Sequence, residues 1–449
     1  MAHSTLTVSD YQYLQAFRQL FPSRQLRRAV AARGRATRER QLPLYLLLGL
    51  LITWFFKPEQ SLVRLVRWFL PAWRSGPTGS AVYRARQRLG WAPLRWLRQR
   101  VVRPLAALAT DPSAFYQGRR LLALDGSTFT VADTPANERT FGRARNQYRQ
   151  GGYPQARLVA LCEVGTHALL DWVVRGYQRS EVALARRLLR RVWAGVLLLV
   201  DRNFHAFTLW ETARDGGYDL LLRVKNGPKF PVQTLLGDGS YLSTVRPRRG
   251  QHKKQRAIVV RVIRYRWSDA QGQVHDSRLL TSLLDAVQHP AAALMALYHQ
   301  RWEQELVFGE IKAQLAGRPM QIRALEPLRV CQEIEALLLG HYTLRWLMLQ
   351  AARQAGVPAV ELSLTGSLQV LDVRLGRTPQ RPRSRRRAWQ RWWTELLQAL
   401  GQQRLRPRSG RRCPRARKVT RSHWPLKKGQ PEGKIPTLEV VPATADPPP

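Results

Sequence analysis

The chain is 449 residues long, 44% hydrophobic, and carries 74 Lys and Arg against 30 Asp and Glu, for a formal charge of +44. Such a length and apolar content can fill a large core spread over about two to four domains, so the protein is globular. The charge exceeds what solubility needs and attracts any polyanion across a Debye length of roughly 8 Å, which makes nucleic acid the first candidate partner.

The opening "MAHSTLTVSDYQYLQ" lacks the basic stretch and apolar run of a secretory signal. Residues 42–56, "LPLYLLLGLLITWFF", are uncharged, but they fall short of the roughly 20 residues of a membrane-spanning helix and read as a buried one. Cys162, Cys331 and Cys413 are odd in number and far apart, with no C-x-x-C pair. They suggest neither a disulfide framework nor a zinc site, and a reducing compartment is expected. A cytoplasmic, nucleoid-associated protein with no membrane partner fits these features.

Residues 1–110 alternate apolar helical periods with arginines, 19 Lys or Arg against three acids, and predict a basic helical region. Within it "RSGPTGSAVYRARQRLG" places Arg84, Arg86 and Arg88 on a helix after a turn. That pattern suits a DNA-binding helix-turn-helix or an ordinary solvated basic face.

From residue 121 the pattern becomes β. "LLALDGSTFTVADT" is followed by "ARLVALCEVGTHALLDWVV", two strands joined at a Gly-Thr-His turn. A helix, "SEVALARRLLRRVW", opened by Ser180 as a cap, leads to the apolar strand "VLLLVDRNF". The order is strand, strand, strand, helix, strand. Residues 226–284 read as a β-rich insertion, after which helices return at 291–315 and 328–354. Beyond about 374 the chain turns basic and Pro-rich, and ends in "ATADPPP", a composition expected to be disordered.

Asp125 and Asp201 each end an apolar strand run, where an open α/β sheet places its ligand crevice; a lone Asp there also starts turns or caps helices. "YHQRWEQELVFGEIK", residues 298–312, reads as one helix. At about 100° per residue, Tyr298, Arg301, Glu305 and Lys312 share one stripe beside the buried face of Leu297, Phe308, Ile311 and Leu315, with Glu303 and Glu310 turned to solvent. A carboxylate beside two others at a core edge requires a cation. Two Asp and one Glu without His or Cys suit two Mg²⁺ ions, with Mn²⁺ able to substitute, acting on a phosphodiester. Arg301 and Lys312 would hold backbone phosphate and Tyr298 would add a hydrogen bond.

The spacing Y-x2-R-x3-E-x6-K at Tyr298, Arg301, Glu305 and Lys312 resembles the YREK signature of the insertion-sequence-four family of DDE transposases. "DGSTFTVADTPANERTFG" and "VDRNF" are similar to its two aspartate blocks, and the likeness extends over roughly residues 15–345. The resemblance implies an α/β fold: a ribonuclease-H-like mixed-sheet catalytic core with a β-rich insertion, preceded by an all-helical basic N-terminal domain. The expected divisions are 1–115, helical and DNA-binding; 116–225, first part of the core; 226–290, insertion; 291–355, rest of the core; and 356–449, a basic, partly disordered C-terminal region. It implies cut-and-paste DNA transposition, with binding of terminal inverted repeats and target DNA, strand cleavage, strand transfer by a freed 3′ hydroxyl, and a homodimer in the DNA complex. Asp125, Asp201 and Glu305 map to the catalytic, metal-binding triad, and Tyr298, Arg301 and Lys312 to DNA-phosphate contacts. In relatives an aromatic of the insertion stacks on a flipped base; Trp267 is a candidate counterpart, or simply packing.

The likeness stops at the C-terminal region. Its basic residues and Trp389, Trp392, Trp393 and Trp424 suit DNA held by charge and stacking, a solvated tail, or a subunit contact through "RRAWQRWWTELLQAL". Two other functions share these features: a nuclease of the same fold without strand transfer, and a catalytically silent DNA-binding descendant. In each case DNA binding should weaken steeply with salt, by about 0.9 in log K per log unit of salt for every phosphate neutralised. A flat salt dependence in a titration series would contradict the assignment of the basic surface to DNA.

Overall fold

The computed structural model describes residues 17, 19–32, 42–57, 60–69, 77–145, 150–224, 227–247, 257–268, 274–315, 322–376, 385–405 and 438–440. It divides into two compact units, Met1–Leu188 with Glu303–Arg404, and Leu189–Trp302 with Leu405–Pro449. The architecture is mixed α/β with a helical N-terminal region, as expected of a ribonuclease-H-like core with an added helical part. No helix among the described residues is long and apolar enough to cross a membrane.

Among the described residues the first unit opens with five helices: α1 (Ser23–Ala31), α2 (Leu44–Thr53), α3 (Leu62–Phe69), α4 (Gly79–Leu89) and α5 (Ala92–Val101). All ten residues of α2 are buried; the segment has no charged side chain, and the Thr53 hydroxyl donates back to the Gly49 carbonyl at 3.1 Å. Thr78 caps α4, its hydroxyl accepting from the Ala81 amide at 3.2 Å. The expected buried helix at 42–56 is therefore present, completed by a 3₁₀ turn at Trp54–Phe56.

An antiparallel sheet follows. The short β1 (Phe115–Tyr116) pairs with β2 (Arg119–Thr130), and β2 pairs with β4 (Gln150–Glu163), Asp125 standing opposite Ala160. The short β3 (Arg143–Arg145) and then β5 (Ala168–Gly176) also pair with β4. Between β2 and β3, α6 (Pro135–Phe141) is capped by Thr134, and α7 (Glu181–Leu189) follows β5. The turn between β4 and β5 holds His167 at φ +60°, a left-handed conformation uncommon outside Gly.

The spine of this unit is α11 in chain order, Pro327–Ala355, 29 residues long and buried along most of its length. Gly340 is where it meets α2: a Cβ there would lie 2.6 Å from the Ile52 carbonyl oxygen. Packed on α11 is a basic, Trp-rich helix, α13 (Arg385–Gly401), which follows α12 (Leu364–Gly376). Trp393 approaches Trp346 of α11 at 6.0 Å, and Trp389 stacks on Trp392 at 4.9 Å. The segment expected to be tail is thus partly ordered, because its tryptophans lie at helical spacing and cover the spine, with Trp392 in the core. Trp424, Cys413 and the Pro-rich end lie outside the described residues.

The second unit begins with β6 (Val196–Val200), buried throughout, and reaches the parallel β7 (Asp219–Val224) through α8 (Phe207–Gly216). This β-α-β crossover is the standard way to join neighbouring parallel strands. The sheet continues antiparallel from β7 to β11 (Val274–Thr281), β10 (Ile258–Ser268), β9 (Tyr241–Val245) and β8 (Thr234–Leu235), with β12 (Leu438–Val440) also on β10. This is the β-rich insertion read between 226 and 284. Buried Arg261 ties it to the next helix, α9 (Ala291–His299): its guanidinium pairs with Asp238 and donates to the His289 carbonyl at 2.6 Å, while Asp238 accepts from the Ala291 amide at 2.8 Å.

The α2–α11 contact leaves no room for a methyl group. Gly340→Ala should destabilise the protein by about 1–3 kcal/mol, the usual cost of overpacking, read as a lowered midpoint in chemical denaturation. An unchanged midpoint would contradict this close approach.

Candidate functional site

Asp125 and Asp201 occupy different contexts. Asp125 does not end its strand: β2 runs on to Thr130, and Asp125 marks the change from fully buried Leu121–Leu124 to half-buried residues. Its carboxylate accepts from the Gly126 amide at 2.7 Å. A Cβ on Gly126 would lie 2.9 Å from the Glu181 carboxyl carbon, so this glycine leaves room for Glu181 on the strand face opposite Asp125. Glu181, paired with Arg157 at 3.1 Å, was not singled out by sequence; the bare D-G step was the available signal.

Asp201 does follow the last residue of its strand, and opens a 3₁₀ turn at Arg202–Phe204 without capping it by its side chain. Among the described residues its Oδ1 is buried with no hydrogen-bond partner, and Arg223 pairs with it from Nη2 at 3.9 Å. A buried carboxylate oxygen without a donor is costly unless a cation reaches it. In the same unit the Tyr298 hydroxyl donates to the Val200 carbonyl at 3.1 Å, the peptide just before Asp201. Burial raises the Tyr298 pKa far above its ordinary value. Arg301 is 5% exposed, with its guanidinium 6.0 Å from the Tyr298 ring. Tyr298 therefore supports the strand end that carries Asp201, with its hydroxyl already engaged.

The single helix expected over 298–312 is not continuous. α9 ends at His299, Gln300 and Arg301 form a turn, α10 spans Trp302–Gly309, and Glu310–Leu315 continues as a π-helix. A uniform 100° rotation fails across both the break and the wider π turn. Tyr298 and Arg301 consequently belong to the second unit, and Glu305 and Lys312 to the first. Leu297, Phe308 and Ile311 are buried as expected. Glu310, expected in solvent, is 8% exposed and pairs with Arg345, while half-buried Glu303 bonds His167 at 2.7 Å. Glu305 is half-buried in the first turn of α10. Lys312 is half-buried in the π-helix, and burial lowers its pKa.

Among the described residues no three His, Cys, Asp or Glu side chains are grouped to hold a metal ion. Asp201 Oδ1, which accepts no hydrogen bond among the described residues, nevertheless suits a hard cation, as does an all-carboxylate donor set.

The remaining candidates separate. Arg84 is exposed and Arg88 half-buried. Arg86 is not a surface residue: its guanidinium donates to Gln332 at 2.8 Å and pairs with Glu333 at 3.1 Å, both on α11. Its position on the inner face of α4, beside buried Val82, Ala85 and Leu89, explains the difference. Trp267 lies on β10 opposite His275 and Leu438; its side chain is outside the described residues.

Residues 116–330 match the family model described as Transposase DDE domain, and residues 12–99 the model described as Insertion element 4 transposase N-terminal. The chain is 29% identical over 335 residues to the transposase InsG for insertion sequence element IS4 of Escherichia coli (strain K12), covering 72% of this chain and 74% of that protein. It is 30% identical over 260 residues to the putative transposase InsZ of the same organism, covering 55% of this chain and 83% of that one. A structure of the piggyBac transposase synaptic complex with hairpin DNA aligns over 86% of this chain and 85% of that chain, at 11% identity and a TM-score of 0.40, too remote to bear on the argument.

Arg86→Ala would strand the buried Glu333 and cost about 3 kcal/mol or more, seen as a lowered melting temperature. Lost DNA affinity with unchanged melting would instead return Arg86 to the DNA surface.

Proposed function

The chain belongs to the transposases of insertion element 4, and from that premise we propose that it is of the YREK type, that Asp125, Asp201 and Glu305 are its catalytic carboxylates, and that it moves its element by cut-and-paste chemistry. As a DDE transposase it cleaves and joins DNA strands. The observation that carries the residue assignment is Asp201: a carboxylate at the end of an all-buried strand, with one oxygen that accepts no hydrogen bond among the described residues.

Asp125, Asp201 and Glu305 would hold divalent cations, Mg²⁺ by preference. Such ions, when bound, sharpen the attacking oxygen and stabilise the leaving one. The chain's own residues supply the rest. Tyr298 fixes the peptide before Asp201 through the Val200 carbonyl. Arg223, its Nη2 3.9 Å from Asp201 Oδ1, places a positive charge beside that carboxylate. Lys312 and Arg301 would contribute positive charge toward the strand being cut. Exposed Arg84 and half-buried Arg88 suit phosphate contacts of the helical region with the terminal inverted repeats. Water attacks a phosphodiester at the element's end and leaves a 3′ hydroxyl, which then attacks a target phosphodiester; each step exchanges one phosphate ester bond for another bond to oxygen. Two copies, each holding one end, would form the active complex.

Strand transfer separates this reading from a plain nuclease. A pre-cut element end bearing a 3′ hydroxyl, incubated with a target plasmid and Mg²⁺, should become joined to it by the wild type and not by Glu305→Gln, although both bind the end. Cutting of the plasmid without joining would support the nuclease, and joining by Glu305→Gln would overturn the residue assignment.

A further inference from the structure

The β4–β5 turn places a fully buried histidine against the helix that carries Glu305. His167 Nε2 lies 2.7 Å from the Glu303 carboxylate, and its Nδ1 lies 2.7 Å from Nη2 of Arg345 and 3.0 Å from the Glu310 carboxylate. Nδ1 thus faces both the Arg345 guanidinium, which can only donate, and the Glu310 carboxylate, while Nε2 faces the Glu303 carboxylate. Arg345 also pairs with Glu310 through Nη2 and donates to it from Nε at 3.1 Å, and His341 Nε2 lies 2.9 Å from the second Glu310 oxygen. Burial works against the Glu310 charge, but Arg345 and His167 hold its carboxyl well below the usual range.

These contacts grip the segment on both sides of Glu305, at residue 303 in the first turn of α10 and at residue 310 where the π-helix begins. The helix changes from α to π five residues after Glu305, and π turns often occur at functional sites. The anchors come from α11 and from a turn held in a left-handed backbone conformation, both outside the segment they hold.

We propose that His167 is a positioning residue for DNA cleavage, which fixes the register and orientation of the Glu305 helix by bonding Glu303 on one side and engaging the Arg345–Glu310 pair on the other. The inference rests on the assignment of Glu305 as a catalytic carboxylate. His167 touches neither DNA nor metal in this account; it acts through the backbone of the helix.

The test compares three single variants and one double variant of the full chain in Mg²⁺-dependent nicking of DNA that carries the native flanks of the gene. His167→Asn suits the left-handed backbone and keeps an acceptor for Arg345, but is too short to reach Glu303. Glu303→Ala breaks the same link from the other side. Each should slow nicking at saturating DNA by about 10- to 100-fold, the loss expected from a misplaced catalytic group, while the affinity for flank DNA measured in Ca²⁺ stays within about twofold, a split that a general folding defect would not produce. His167→Gln, whose amide can reach Glu303, should recover much of the rate. The double variant His167→Asn with Glu303→Ala should be no slower than either single one. Wild-type rates in either single variant, additive losses, or losses matched by equal losses of DNA affinity would overturn the proposal. Glu305→Gln, run alongside, keeps the two claims apart: if it nicks normally the catalytic assignment itself fails, whereas if it is inactive and His167→Asn is normal, only the positioning role falls.

Discussion

A long helix buried on nearly all sides cannot give its polar side chains to water, so each must find a partner elsewhere in the protein. In α11 that requirement organises the whole first unit. Gln332 and Glu333 take Arg86 from α4. Glu335 accepts from the Trp172 indole of β5 at 2.9 Å and faces Arg98 of α5 at 3.4 Å. His341 and Arg345 take Glu310 from the segment after α10. One spine thus orders the N-terminal helices, the β4–β5 hairpin and the helix bearing Glu305. Apolar packing supplies the bulk of the stability there, but it is non-directional; the paired polar groups set which element lies at which height along the helix. A buried pair contributes little against an apolar replacement but a great deal against its own half-removal, so these contacts act chiefly as registers.

The second unit rests on a similar device at smaller scale. Arg261, buried within the sheet, bridges Asp238, Ser240 and the carbonyls before α9. The insertion is thereby joined to the helix that supplies Tyr298, and Tyr298 in turn fixes the end of β6 next to Asp201. The chain from insertion to carboxylate is continuous through hydrogen bonds within one unit.

Much of this was legible in the sequence because it depends on local pattern. The β-rich run "ARLVALCEV" gave β4, the Gly-Thr-His turn gave the hairpin, and the all-apolar "VLLLV" gave a strand buried on both faces with Asp201 at its end. What escaped depends on pairing across the fold. Arg86 reads as one more surface arginine until Gln332 and Glu333, some 246 residues later in the chain, are placed beside it. Glu310 reads as solvent-facing because a uniform helical rotation was assumed, and neither the break at Gln300–Arg301 nor the π turn has a composition signal. His167 looked like turn punctuation, and its role emerges only when α11 brings Arg345 to it. The tryptophans of α13 looked suited to stacking on bases, yet the same flat surfaces pack on the spine.

The central claim is that Asp125, Asp201 and Glu305 act together on DNA. The most direct measurement is Mg²⁺-dependent nicking of DNA carrying the native flanks of the gene, with wild type beside Asp125→Asn, Asp201→Asn and Glu305→Gln. The account predicts nicks at defined flank positions by the wild type and none by any of the three variants, all of which still bind the DNA. Undiminished nicking by any one of the three would contradict it.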